Sequence, residues 1–308
     1  MTAASVTSES ERNAASEATT APIAAAHQTS LFRSCWALYT LTLRQHLHGK
    51  RWIALAFLFL LPAGLAVLIR WADPDGVPSR QLEFVLSWLL IPQALLPLMA
   101  LLYASGIILD EQEDQTITYL LIRPIPKWLI YLVKMAATWT TTVALVLVLT
   151  ALTFAAIYIR SDTPLSEVLF RASTSAEIHA LAVIAYCSLF GLLGLLTKRS
   201  LVAGMLYTVV IEGVLANLPL SVRMVTVIYY CRVIAYRTLD FKVAFHDRTE
   251  DVASELWFID LTNETQVAEH PQRLTCIAVL MIASIVCAAL AAFLCSQREF
   301  HVKTPEKD

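Results

Sequence analysis

The residues with chemical potential in this chain are the charged ones that interrupt long apolar sequence. The densest group is Asp110-Glu111-Gln112-Glu113-Asp114, followed by Gln115-Thr116-Ile117-Thr118-Tyr119-Leu120-Leu121-Ile122 and then Arg123-Pro124-Ile125-Pro126-Lys127. Four acids, a short apolar run and a basic, proline-rich exit cannot sit in hydrocarbon, so this stretch must face water between two membrane segments. Its chemistry is that of a docking surface, with fixed charge around an apolar anchor. Asp110 with Glu111, or His246 with Asp247, has the right types for acid/base work. Each pair lacks a nucleophile, a metal cluster or an orienting partner, so solvated charge is the economical reading.

Glu212 is the one acid deep within an apolar run. Burying it unpaired costs a few kcal/mol or more, so it must be protonated, hydrogen-bonded or exposed to a polar cavity. It is therefore either an ion or proton site or a brace between helices. Thr138, Thr140, Thr141 and Thr142 cluster in another apolar run, where they either line a polar route or bond their own helix and a neighbour. Packing is the simpler reading. His46 and His48 are two residues apart and point to different helix faces, which argues against a metal pair and for solvent or headgroup contact. Six cysteines show no CxxC spacing and read as small apolar packers.

Catalytic motifs are missing. Gly49-Lys50 is followed by Arg51, and position 44 is Arg where a phosphate loop needs Gly. HExxH and GxSxG are absent as well. No catalytic, cofactor or metal residue is therefore expected, and any ATP must be held elsewhere. Nothing in the charge pattern resembles a nucleic-acid face.

The elements that position these residues follow from composition. With 57% hydrophobic residues, 16% charged and a mean hydropathy of +0.61, the chain is far more apolar than a soluble domain. Six stretches reach the length needed to cross a bilayer, at about 53–70, 84–109, 131–159, 177–196, 201–219 and 274–295. The expected fold is an all-α integral membrane protein with six transmembrane helices. Residues 1–28, rich in Ala, Ser and Thr, are expected to form a disordered cytoplasmic tail, and 301–308 a second tail. Between 31 and 52, apolar and aromatic residues alternate with Arg33, Arg44, Gln45, His46 and His48, the pattern of an interfacial helix. The outer loop, 219–273, carries an apolar stretch from Val225 to Tyr236 that is too short to cross and is broken by Arg232. It reads as a helix lying on the outer leaflet above a hydrophilic cap. Lys134, one turn inside the third run, is expected to snorkel to the headgroups.

Charge sets the orientation. Arg44, Lys50, Arg51, Arg123, Lys127, Lys198, Arg199, Arg298 and Lys303 lie on one side, and Arg70, Arg80, Arg160, Arg171, Arg223 and Arg273 on the other. Nine against six places both termini in the cytoplasm, with the protein multi-pass in the plasma (inner) membrane.

The charged interruption also resembles a known motif. Glu111 to Ile125 is similar to the segment E-x-E-x-G-T-L-E-x-L-L-x-x-P-I between spans two and three of ATP-binding-cassette (ABC) type-2 exporter permeases. The layout over residues 31–300 resembles theirs too, including the tight turn Thr197-Lys198-Arg199-Ser200 between spans four and five. The family's glycine is Gln115 here, and its following acid is Thr118. The resemblance implies a permease subunit of an ATP-driven exporter, with loop 110–127 as its coupling loop to a separate ABC ATPase subunit. ATP and Mg would be bound by that partner. Glu111, Glu113 and Asp114 would supply charged contacts, Leu120 and Leu121 the apolar anchor, and Thr116, Tyr119, Arg123 and Pro124 the rest of the gripped surface. It further implies a second permease half, most simply another copy in a homodimer, surrounded by membrane lipids. The alternative from the residues alone is a secondary transporter or channel that uses Glu212.

Overall fold

The computed structural model describes residues 31–48, 50–72, 77–107, 126–197, 199–218, 221–245, 248–251, 256–257 and 270–297. Among these described residues, six helices are long and apolar enough to span a membrane. They are Leu55–Ala72, within the helix Lys50–Ala72, then Ser79–Ala104, Lys127–Ile157, Leu165–Leu196, Ser200–Asn217 and Arg273–Gln297. The protein is an all-α membrane protein of six spans. A hairpin in the outer loop adds two short strands, β1 (Lys242–Phe245) and β2 (Arg248–Asp251), antiparallel with Lys242 opposite Asp251 and Phe245 opposite Arg248. The end of the bundle that carries helix 31–48 is called inner, and the end that carries the hairpin outer.

The fourth span is the centre. It is 67% buried, against 24% for the first span and 22% for the fifth, and packs on the second, third and sixth. Its helix extends back to Leu165, well before the apolar run that begins near 177, because Arg171 finds a buried partner and need not stop at the membrane surface. Phe190, Tyr186 and Cys187 face the main core together with Trp88, Met99 and Tyr131.

Two spans depart from α geometry. In the second span the stretch Phe84–Leu95 is π-helical and holds Pro92, and Pro97 falls at the start of the following α-helical turn. A proline ring lacks an N–H and clashes with the carbonyl four residues back, and the wider π turn relieves that clash. The fifth span changes from α-helix (Ser200–Tyr207) to π-helix (Thr208–Val214) and ends in a single 3-10 turn (Leu215–Asn217).

Three expectations are corrected. The apolar stretch in the outer loop does form a helix, Val227–Thr238, but it does not lie on the leaflet. Ile228, Cys231, Arg232, Val233, Ile234 and Ala235 are buried against the fourth and sixth spans. Lys134 does not snorkel: it is 4% exposed, and its Nζ donates to the Ile107 carbonyl at 2.9 Å. His46, expected in solvent or among headgroups, packs edge-on against Tyr103 and meets the Thr138 hydroxyl at 3.3 Å.

Helix 31–48 rests along the inner end of the third span. Leu38 is buried against Ile130, and the Tyr39 hydroxyl donates to Thr140 at 3.0 Å. Its opposite face exposes Phe32, Trp36 and Leu47.

Candidate functional site

The expected docking residues, Glu111, Glu113, Asp114, Thr116, Tyr119, Leu120, Leu121, Arg123 and Pro124, lie outside the described residues, as does the His246-Asp247 pair. The two helix ends that flank residues 108–125 are described. The second span runs to Ala104 with a turn through Ile107, and the third resumes at Lys127 behind Pro126, whose extended backbone sets a sharp entry. Lys134 from the third span bonds Ile107 at the end of the second. The fourth span abuts the same place: a Cβ on Gly194 would lie 2.6 Å from the Ser105 carbonyl oxygen, so only glycine permits this approach.

The three intramembrane polar residues have defined partners. The Thr138 hydroxyl donates to the Lys134 carbonyl at 3.0 Å and the Thr141 hydroxyl to that of Ala137 at 2.8 Å, each one turn back in its own helix. Glu212 is fully buried in the π segment of the fifth span. Oε1 accepts from the Tyr207 hydroxyl at 2.9 Å and the Val227 N–H at 3.0 Å, and Oε2 from the Ile228 N–H at 3.1 Å. Val227 and Ile228 open the outer helix, where N–H groups lack intrahelical partners and the helix dipole favours negative charge. The Thr226 hydroxyl takes the next one, from Tyr229 at 3.4 Å. The carboxylate is thus a brace that ties the fifth span to the outer helix.

Arg232 makes the matching link from the middle of that helix. It donates to the Ala216 carbonyl at 3.3 Å and Asn217 Oδ1 at 3.0 Å at the end of the fifth span, and to Gln93 Oε1 at 3.4 Å in the π segment of the second. Its guanidinium stacks over Trp257 at 5.7 Å. Burial lowers its pKa to about 10, which still leaves it charged at neutral pH.

A second buried cluster escaped the sequence reading. Glu83 and Arg171, 0% and 4% exposed, form a bidentate pair with bonds of 2.7 and 3.0 Å between the second and fourth spans. The Tyr158 hydroxyl also donates to Glu83, and Arg171 reaches the Asp240 carbonyl at 3.1 Å. The available signal was an acid at the lip of an apolar run, Leu82-Glu83-Phe84, and a cation between Phe170 and Ala172. Arg70 is buried nearby and donates to the Ile157 and Val77 carbonyls. Deeper in, His179 Nδ1 and the Thr150 hydroxyl lie 3.1 Å apart, and the imidazole sits tilted beside Trp88 with ring centres 5.3 Å apart. Ser87 lies five residues before Pro92, so in a π turn its carbonyl loses its usual donor. Among the described residues no cluster of His, Cys, Asp or Glu could hold a metal ion, and every cysteine is a free thiol.

Six spans and a polar stretch of sequence between the second and third define a multi-pass membrane architecture. The chain matches the sequence profile of the ABC-2 family transporter proteins over residues 46–214, more than half its length, and belongs to that family. It is a permease subunit of an ABC transporter, and permeases of this family generally pair with an ATPase subunit. Membership sets aside the secondary-transporter reading of Glu212. No curated protein matches the chain.

Proposed function

We infer that the chain is the membrane half of an ATP-driven exporter that receives force from a separate ATPase through loop 110–127. The observation that carries this reading is the family match, which runs through that loop, where Glu111 to Ile125 keeps the first two acids, the Thr116 position, the leucine pair and the Pro-Ile exit, with Gln115 and Thr118 in place of the glycine and the third acid. Glu113 and Asp114 present charge to the ATPase, and Leu120 and Leu121 insert as its apolar anchor. ATP and Mg sit on the ATPase. A second copy of the chain completes the pathway in the plasma membrane, with both termini and the docking loop on the cytoplasmic side.

The test is reconstitution of the permease with its ATPase in liposomes and assay of a panel of lipids, drugs and polysaccharides. The reading expects movement of a panel compound only with hydrolysable ATP. Movement driven by an ion gradient in the absence of ATP would overturn it.

A further inference from the structure

We propose that Lys134, together with His46, is a positioning residue of the coupling step. It clasps the end of the second span to the third span and the interfacial helix, so that the three move as one body when the loop between them is pulled. The inference rests on the docking role of loop 110–127 and concerns only its two described ends.

The geometry consists of two polar layers one helical turn apart. In the lower layer Lys134 Nζ donates to the Ile107 carbonyl at 2.9 Å. In the upper layer His46 meets Thr138 Oγ1 at 3.3 Å and lies edge-on to Tyr103 with ring centres 4.9 Å apart. Lys134 and Thr138 are four residues apart on the third span, and Tyr103 and Ile107 are four apart on the second, so each helix offers one face to both layers. The Thr138 hydroxyl also donates to the Lys134 carbonyl, which joins the layers.

An ammonium group buried to 4% exposure is costly, and a lysine one turn inside a span can normally reach the headgroups instead. Here it is held by the carbonyl end of the second span, where unpaired C=O groups and the helix dipole both favour a cation. Leucine or methionine would fill the same volume beside Met135 and Tyr131 without that cost. What the charge adds is a directional bond across the base of the loop. On its other side the same helix end is fixed by the contact of Ser105 with Gly194, so a pull on the loop meets a keyed joint and not a loose pair of helices.

Hydrogen–deuterium exchange on the permease–ATPase complex in nanodiscs, with and without ATP and vanadate, tests the role. The readout is the nucleotide-dependent difference at the outer helix Val227–Thr238, at the far end of the bundle. Wild type is expected to show a difference there. Lys134→Met and His46→Ala are expected to keep the ATPase bound and its own nucleotide response, and to lose the difference at the outer helix. Lys134→Arg is expected to restore it. A purely structural role would raise exchange around residue 134 in both nucleotide states and leave the outer difference intact, which would overturn the proposal. So would failure of Lys134→Arg to recover it. Loss of ATPase binding in Leu120→Asp is a separate outcome that concerns the docking surface alone. Absence of any nucleotide response in the wild-type permease would remove the coupling reading and the clasp together.

Discussion

Glu212 and Thr226 divide the first N–H groups of the outer helix between them, and the carboxylate is the larger share. Leucine at 212 leaves two N–H groups without acceptors, each worth ~1–3 kcal/mol where the group is buried. Glutamine keeps one carbonyl oxygen in place. Thermal denaturation in one detergent should therefore rank wild type, then Glu212→Gln about 1 kcal/mol lower, then Glu212→Leu well below both. Equal stability of the two variants would remove the brace. The Glu83–Arg171 pair calls for a cycle. Arg171→Met alone strands a buried carboxylate and is expected to cost ~3–5 kcal/mol, whereas adding Glu83→Leu should recover most of it, because an apolar pair needs no desolvated charge. A double variant no better than the single one would mean that the bonds to Tyr158 and Asp240, and not the pair itself, hold this corner.

At the scale of the element, the contacts between spans are specific at some positions and absent at others. A methyl group at Gly194 meets a backbone oxygen that cannot move without shifting the end of the second span. Gly194→Ala is thus expected to lose ~1–3 kcal/mol by overpacking. Gly64, on the lip of an apolar groove of about 650 Å³ between the first and third spans, has nothing within 4 Å of a Cβ. Gly64→Ala should be neutral or gain up to ~1 kcal/mol from helix propensity. Melting curves of the two variants, measured side by side, check this contrast. The second and fifth spans are joined through Arg232, which reaches Gln93 in the π segment of one and the 3-10 end of the other. The outer halves of these spans and the outer helix therefore form one linked unit.

For the whole molecule, apolar run length was enough to find six spans, because backbone satisfaction in lipid leaves a long helix as the only local solution. The same logic hid whatever depended on a distant partner. Arg171 reads as an interfacial charge until Glu83, 88 positions earlier, is placed against it. Val225 to Tyr236 is too short to cross, and sequence cannot show that Glu212 satisfies its N-terminal end and that Asn217 and Gln93 satisfy Arg232 from inside the bundle. Lys134 reads as a snorkelling lysine because the carbonyl that holds it belongs to a different helix. Loop 110–127 was legible as a motif and as a polar interruption, and the docking role we propose for it involves a second protein.

That role is the central claim, and co-purification tests it most directly. Tagged permease carrying Leu120→Asp or Glu113→Lys, co-expressed with its ATPase, should insert in the membrane at wild-type levels and lose the ATPase on affinity purification, while Gly64→Ala retains it. Full retention of the ATPase by both loop variants would contradict the account.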